Sequence, residues 1–551
     1  MSRLLLSVSL LALILISCGG DRKDSAEISG KKVFRYNESA GISFLDPALA
    51  VRFEDGWAMS QLYNGLVTLD NDLNVVPDIA RKWTVTEDKL EYTFTLRNDV
   101  YFHDHPAFPE GKGRKVVAQD FVNSFFRVTD PDVASPGQYI FQNLDKSSRS
   151  FGLGFFAPND STLKIVLAKP QQAFLEQLTL SFCYVIPIEI VDYYGDDFSR
   201  NPVGTGPFRF KSWKEDVKLV MLKNENYFEK DENGNQLPYI DAISISFIRE
   251  KDVEFREFLK GKYEFISGLH PSYQDQLLTK EGALKSEFND KIHLQRHPWL
   301  KTDYIGYILK EDQPVFSNSP TRIKQVRKAI NYSINRKEMI THLRNGIGQP
   351  AESGFTPMGM QSFKYTSIIG YNFDLDKARA LLFEGGITKP REVEPIKLIA
   401  TMEYKQICEY IKMNIEELGL RVDLELVLPN VQKQMIAGYQ TNMFRKSWTA
   451  DYPDGINFLQ LFYSKNESPR GPNYTHFRNG PFDVNFELAL SETNDAKRYE
   501  LYHKMEEIIM EEAPIIPLYY DEVVRFVQNY VTDLGFNAMN KLDLKRVRIN
   551  K

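Results

Sequence analysis

The sequence has few cysteines and no long apolar segment beyond its first residues, and both absences exclude classes of protein. Three cysteines in 551 residues are too few for a disulfide-stapled scaffold or a cysteine-rich zinc site. After residue 17, no stretch approaches the ~20 consecutive apolar residues that a membrane-spanning helix requires. The net charge of −6 argues against a nucleic-acid partner, because binding to phosphates needs a basic surface.

Motifs for catalysis and for cation binding are also missing or incomplete. There is no Gly-x-Ser-x-Gly, no phosphate-binding loop and no His-Glu-x-x-His. His103 and His105 could be metal ligands, but the sequence places no third ligand beside them. Residues 231–236 begin like a calcium loop, but the sixth position is Gln236 where glycine is required. We therefore predict no catalytic residue, no metal site and no cofactor.

Cys183 and Cys408 are far apart in the sequence and allow two interpretations. An oxidising compartment would permit a disulfide between them. Two buried free thiols are the simpler interpretation, because the sequence supplies no geometry for a bridge.

The N-terminus is organised like a secretion signal. Arg3 precedes an almost unbroken apolar run at residues 4–16, which has the length of a signal-peptide core. The run ends in Leu15-Ile16-Ser17-Cys18, and a small residue before a cysteine at this place resembles a bacterial lipobox. This resemblance implies a signal peptide at 1–17 and lipidation of Cys18, followed by a flexible tether at 18–31. An ordinary signal peptide with an incidental cysteine is the alternative.

Hydrophobic patterns predict a mixed α and β chain. Apolar and polar residues alternate over 89–97, which is typical of a half-buried strand. Further strands are predicted over 162–167, 207–213, 217–223, 242–248 and 421–428. Helices are predicted from apolar residues at helical spacing over 321–332, 376–384, 406–418 and 496–512. The alternation of helix and strand after residue 370 favours an α/β lobe.

Several short segments gain meaning from their order and spacing. They are residues 80–103, 115–127, 201–208, 326–336 and 448–454. Together they resemble the family of extracellular solute-binding proteins that serves peptide and nickel importers. The most specific parts are Gly204-Thr205-Gly206-Pro207 and the Trp-x-x-Asp-Tyr element that starts at Trp448. The resemblance runs from Val33 to the C-terminus.

The resemblance implies a fold and a division into domains. The expected fold is α/β and two-lobed, of the type II periplasmic-binding-protein kind, with an extra N-terminal α+β domain. Lobe I would be discontinuous, with residues 32–70, 203–295 and 513–551. The extra domain II would take residues 71–202, and lobe III residues 296–512.

The resemblance also implies a peptide site around Trp448. In the oligopeptide and dipeptide members, an aspartate three residues after this tryptophan anchors the α-ammonium of an extended peptide, and Asp451 has that place. Arg445 matches an arginine that meets a peptide carboxylate. Judged on the residues alone, Asp451 could be a turn aspartate beside Pro453, Trp448 could pack around the site, and Arg445 could form a surface salt bridge.

The sequence therefore predicts a substrate-binding lipoprotein of an ABC importer that is not an enzyme. It would act as a monomer at the periplasmic or extracytoplasmic face, held by its N-terminal lipid. It would capture di- to oligopeptides by lobe closure and deliver them to a membrane permease. Nickel chelates, heme and oligosaccharides are alternative ligands for the same fold, and an envelope peptidase or hydrolase and a signalling receptor are alternatives of another class.

Overall fold

Three larger sheets organise the part of the chain that the structure, a computed structural model, describes: residues 30–49, 51–147, 154–360 and 368–551. The predicted signal peptide and Cys18 lie outside the described residues. Among the described helices, none is both long and apolar enough to cross a membrane.

The sheets differ in size and in the part of the chain that they use. One four-stranded sheet has the order Val33–Asn37, Ala242–Ser246, Lys218–Lys223, Phe208–Lys214. A second has the order Ala80–Val85, Glu91–Leu96, Thr162–Val166, Phe155–Asn159. The third, the central sheet, has the order Phe265–Ser267, Ile515–Gln528, Ile292–Tyr307, Met443–Thr449, Ile396–Ala400, Val422–Leu426, with Gln349–Pro350 beside Ile515–Gln528. Short pairs join Val67–Leu69 to Val75–Pro77 and Val531–Thr532 to Arg548–Ile549.

Helices pack on these sheets along the whole chain. The α-helices are Phe53–Leu62, Ala118–Thr129, Phe174–Gln177, Ile188–Tyr194, Lys251–Leu259, Gln274–Leu277, Pro314–Ser317, Lys324–Ser333, Arg336–Leu343, Leu375–Glu384, Lys405–Glu417, Pro429–Ala437, Ile456–Leu459, Gly480–Ser491 and Asp495–Glu512. The predicted strands and helices are confirmed to within a few residues at their ends. The helix predicted from residue 321 begins at Lys324, because Pro320–Arg322 forms a separate 3-10 turn.

Two long antiparallel strands connect the regions predicted to be separate lobes. Ile292–Tyr307 and Ile515–Gln528 pair along most of their length. Phe265–Ser267 pairs near one end of Ile515–Gln528, and Met443–Thr449 pairs with the far end of Ile292–Tyr307. The predicted boundary at 295/296 therefore falls inside a continuous strand, and the division into lobes stays a prediction.

The Gly-Thr-Gly-Pro segment packs directly against the end of the helix Phe53–Leu62. A Cβ on Gly204 would lie 2.2 Å from the carbonyl oxygen of Leu62, and a Cβ on Gly206 would lie 2.4 Å from that of Gln61. The N–H of Gly206 donates to the carbonyl oxygen of Leu62 at 2.9 Å. Both glycines are therefore required by close approach of two backbones.

The two histidines considered as metal ligands have separate hydrogen-bond partners. His103 is buried, and its Nε2 donates to the carbonyl oxygen of Gly206 at 2.9 Å. Burial lowers the pKa of His103 to about 4, so the ring is neutral at physiological pH. Nε2 of His105 lies 2.9 Å from the hydroxyl of Tyr194. His103 thus helps to hold the Gly-Thr-Gly-Pro turn.

The two cysteines among the described residues are buried free thiols. Burial raises the pKa of Cys408 to about 12 and the pKa of Cys183 further. The simpler of the two interpretations is confirmed, and both thiols stay protonated at physiological pH.

We expect Gly206→Ala to lower the free energy of unfolding by about 1–3 kcal/mol, because the added methyl group must displace backbone at the end of the neighbouring helix. Gly56→Ala, within the helix Phe53–Leu62, is the matched control. A Cβ at position 56 would have open space around it, so this change should raise the free energy of unfolding by about 0.5–1 kcal/mol. Urea unfolding followed by circular dichroism measures both. An unchanged stability of Gly206→Ala would contradict the close packing of this turn.

Candidate functional site

A cavity of about 330 Å³, called the cleft below, lies beside the central sheet. One wall is formed by residues 37–40 and by the start of the helix Phe53–Leu62. Residues 343–344, 403–404 and 406–407 line the cleft from the region predicted as lobe III. The two long strands supply Trp299, Lys301 and residues 521–524 as its floor. The lining therefore comes from both predicted lobes.

Aromatic rings cover much of this lining. The ring centroids of Phe53 and Trp57 are 5.4 Å apart, and those of Phe53 and Trp299 are 6.0 Å apart. The Lys301 ammonium lies 4.7 Å from the ring centroid of Trp299. Nε1 of Trp299 is buried and has no hydrogen-bond partner among the described residues. A buried donor without an acceptor is costly, so this indole N–H favours a ligand that brings an acceptor.

Charged side chains on the two long strands and their neighbours form an ion network at the floor of the cleft. Lys301 Nζ lies 2.8 Å from Asp521 and 3.5 Å from Asp303. Arg344 also pairs with Asp521, and Arg445 pairs with Asp303. Three cations thus share two buried carboxylates. Although burial opposes it, the charges of Arg344 and Lys301 lower the pKa of Asp521 to about 2.

Arg445 belongs to this network and does not itself line the cleft. Its guanidinium carbon lies 3.0 Å from the ring centroid of Tyr404, and Tyr404 lines the cleft. Burial lowers the pKa of Arg445 to about 10, so the side chain remains charged at neutral pH. Arg445 pairs with Asp303 and lies outside the lining of the cleft. Lys301 and Arg344 are therefore the cations of the network that reach the cleft.

Trp448 and Asp451 are brought together by Asn457. Nε1 of Trp448 donates to Oδ1 of Asn457 at 2.9 Å, and the backbone N–H of Asp451 donates to the same oxygen at 3.2 Å. Nδ2 of Asn457 donates in turn to Oδ2 of Asp451 at 3.1 Å. Asn457 is fully buried, so its side chain holds the Asp451 carboxylate in one position.

The Asp451 carboxylate carries a charge that no cation among the described residues balances. Solvent reaches the residue, yet the protein around it removes enough water to raise the pKa of its carboxyl group. Tyr139, from the predicted domain II, is close enough that the Asp451 charge adds to burial in raising the pKa of the tyrosine. The Tyr139 hydroxyl therefore stays protonated beside the carboxylate.

Of the three residues that the sequence placed in one site, the structure brings Trp448 and Asp451 together and separates Arg445 from them. Arg445 and Trp448 are an odd number of positions apart in the strand Met443–Thr449 and project to opposite faces. Arg445 meets Tyr404 and Asp303 on one face, whereas Trp448 packs against the apolar cluster on the other. Their roles in ligand binding remain a prediction.

Part of the strand Met443–Thr449 has an open edge. Along one side it pairs with Ile292–Tyr307 over its whole length. On its other side, within the described chain, Ile396–Ala400 reaches only Met443 and Phe444. The carbonyl oxygen of Arg445 accepts a hydrogen bond from Nε2 of Gln432 at 2.9 Å. Residues 446–449 therefore present an edge to which an extended chain can add by backbone hydrogen bonds.

Several residues of the site were not predicted from the sequence. Asn457 left a signal, because it is a polar residue in the mainly apolar run 456–462. Lys301 and Asp303 left another, as alternating charges inside a strand. Nothing in the sequence marked Tyr139, because its position depends on how domain II packs.

Comparisons with known proteins agree over nearly the whole chain. The model of bacterial extracellular solute-binding proteins, family 5 Middle, matches residues 74–470. The dipeptide-binding protein DppE of Bacillus subtilis is 24% identical over 541 residues, which is 95% of this chain and 93% of that protein. Heme-binding protein A of Haemophilus influenzae is 26% identical over 517 residues, which is 90% of this chain and 88% of that protein.

A solved structure gives the same result for the fold. The periplasmic binding protein DppA from Helicobacter pylori, in complex with the peptide STSA, superposes with a TM-score of 0.76 at 25% identity. The superposition covers 94% of this chain and 98% of that one. The predicted α/β, two-lobed type II fold is thereby confirmed. The chain belongs to the bacterial extracellular solute-binding proteins of family 5.

Proposed function

We propose that this protein captures di- to oligopeptides between its two lobes and delivers them to the membrane permease of an ABC importer. The observation that carries the proposal is the Asp451 carboxylate, which Asn457 holds in place and no cation among the described residues balances. A relative named as a dipeptide-binding protein and a neighbour solved with a bound peptide support the choice of ligand.

The N-terminus of the peptide would be anchored at Asp451. An ammonium group leaving water needs a carboxylate partner, because an unpaired buried charge costs several kcal/mol. The bond between them is charge-assisted and about twice as strong as a neutral one. Tyr139, whose pKa the Asp451 charge helps to raise, would contribute its hydroxyl to the anchor.

The peptide backbone would bind to the open edge at residues 446–449. Bonds between main chains give affinity that does not depend on the peptide sequence. Trp448, which belongs to this edge, is held by its hydrogen bond to Asn457.

The peptide carboxylate would be met by the floor network rather than by Arg445 alone. The three cations and two carboxylates of that network leave one positive charge uncompensated. Lys301 and Arg344 line the cleft, so they are the groups that a ligand reaches. Arg445 belongs to the same network through its ion pair with Asp303 and does not line the cleft.

We also propose that the protein is a monomer held at the extracytoplasmic face by a lipid on Cys18. The Leu-Ile-Ser-Cys ending of the apolar run supports lipidation at this residue. The family's extracellular character supports the side of the membrane.

The anchor is tested by peptide binding to wild type and to Asp451→Asn. We expect Asp451→Asn to weaken binding of trialanine by about 2 kcal/mol or more, roughly 30-fold, because the ammonium loses its counter-charge. N-acetyl-trialanine, which lacks the ammonium group, should bind wild type as weakly as trialanine binds the variant. Its affinity for the variant should equal its affinity for wild type. Isothermal titration calorimetry measures all four affinities.

Asp376→Asn is the control for this experiment, because the Asp376 side chain is 99% exposed. It should bind trialanine as the wild type does. Native mass spectrometry of gently purified wild type gives an independent readout of the ligand. A ladder of small peptides supports the proposal, whereas heme, a nickel chelate or a sugar would overturn the choice of ligand. Equal affinity of Asp451→Asn and wild type would refute the anchor.

Lipidation is tested with Cys18→Ser in a bacterial host. This variant should fail to incorporate an alkyne-labelled fatty acid and should leave the membrane fraction. Cys408→Ser, which changes a buried thiol, should be labelled as strongly as wild type. Continued labelling of Cys18→Ser would refute the lipid anchor.

A further inference from the structure

Three carboxylates line the wall of the cleft on the side of predicted lobe I: Glu38, Glu54 and Glu254. Two of them have a cation nearby. Oε2 of Glu254 lies 2.8 Å from Lys251 Nζ, and Oε2 of Glu54 lies 3.5 Å from Nε of Arg52. Glu38 is the one of the three without a cation partner among the described residues.

The surroundings of Glu38 are unfavourable to its negative charge. Its Oε1 accepts a hydrogen bond from the backbone N–H of Ala40 at 3.2 Å. Burial, followed by the charges of Glu54 and Glu254, raises the pKa of Glu38 to about 7, although Ala40 and Lys251 oppose the shift. A cation placed beside Glu38 would relieve both the desolvation and the repulsion.

Glu254 uses the one lysine at this wall. Its side chain lines the cleft and the residue is only 2% exposed. Lys251, which also lines the cleft, has its Nζ 2.8 Å from Oε2 of Glu254. Because this ammonium is paired with Glu254, it leaves the nearby Glu38 carboxylate without a cation in contact within the described part of the chain.

Aromatic faces complete the surroundings. Phe53, which neighbours Glu54 in the chain, is 39% exposed and contacts both Trp57 and Trp299. Rings beside a carboxylate suit an ammonium or guanidinium group, because the ring faces attract the cation and the rings pack on its apolar stem. An acidic side chain at this wall would be repelled.

We infer that this wall selects peptides that carry a lysine or arginine side chain, with Glu38 as the specificity-determining residue. The inference rests on the proposed peptide function. The Trp299 ring lies 6.0 Å from the Phe53 ring and 4.7 Å from the Lys301 ammonium, so it is near both the wall and the cations of the network. The cleft thus offers Glu38 for the basic side chain, and Lys301 and Arg344 for the peptide carboxylate.

The test compares tripeptides that differ only in one charge. Alanine tripeptides carrying lysine at the first, second or third position are titrated beside peptides with norleucine, an uncharged analogue of similar shape, at the same position. At one position we expect wild type to bind the lysine peptide at least 10-fold more tightly. Glu38→Gln should lose this preference and keep the affinity for the norleucine peptide within twofold. The exposed Glu384 supplies the control, and Glu384→Gln should keep the preference.

A second measurement uses wild type alone and does not depend on the folding of a variant. The groups that face Glu38 are Glu54, Glu254 and Lys251. Burial raises the pKa of Glu38 to about 7, so this carboxylate changes its ionisation near neutrality. Because the ligand cation favours the ionised carboxylate, the lysine preference should grow between pH 5.5 and 8.5. A preference that is constant over this range would overturn the role of Glu38.

The remaining outcomes distinguish a failure of this inference from a failure of the proposed peptide function. If wild type binds lysine and norleucine peptides equally, peptide binding stands and the inference is wrong. If Glu38→Gln weakens both kinds of peptide equally, Glu38 holds the α-ammonium and the inference is also wrong. If no peptide binds wild type, the proposed function fails and the inference fails with it.

Discussion

The pairing of Ile292–Tyr307 with Ile515–Gln528 is the constraint on which the rest of the structure depends. These strands belong to one sheet with elements from both predicted lobes, and they carry Lys301, Asp303 and Asp521 into a buried ion network. The two strands pair along most of their length, with register shifts between Pro298 and Thr302 and between Asp303 and Tyr304. The walls of the cleft are therefore connected through a shared floor. Any movement of one wall against the other must bend this pair of strands.

The polar groups of the site are divided between the two faces of the sheet. Trp448 and Asp451 share Asn457 on one face, and Arg445 joins Asp303 on the other. The strand Met443–Thr449 lies between them and offers its edge. A ligand that uses both sets of groups must therefore lie along this edge, which suits an extended chain better than a compact molecule.

Local patterns predicted the elements well, because alternation and helical spacing depend on nearby residues. The Gly-Thr-Gly-Pro turn was also predictable, although its partner, the end of the helix Phe53–Leu62, was not. The family resemblance placed Arg445 in one site with Trp448, whereas a strand sends residues at odd separation to opposite faces. Glu38 and Tyr139 come together with the site only through long-range packing, which leaves no local signal.

The uncompensated positive charge of the floor network has a consequence for the empty protein. Closing the lobes without a ligand would take this charge further from water while the network itself holds no third carboxylate, and that desolvation opposes closure. A peptide carboxylate would remove the penalty, so the closed form would be populated mainly when cargo is present. A permease that binds the closed form would then seldom bind protein that holds no peptide.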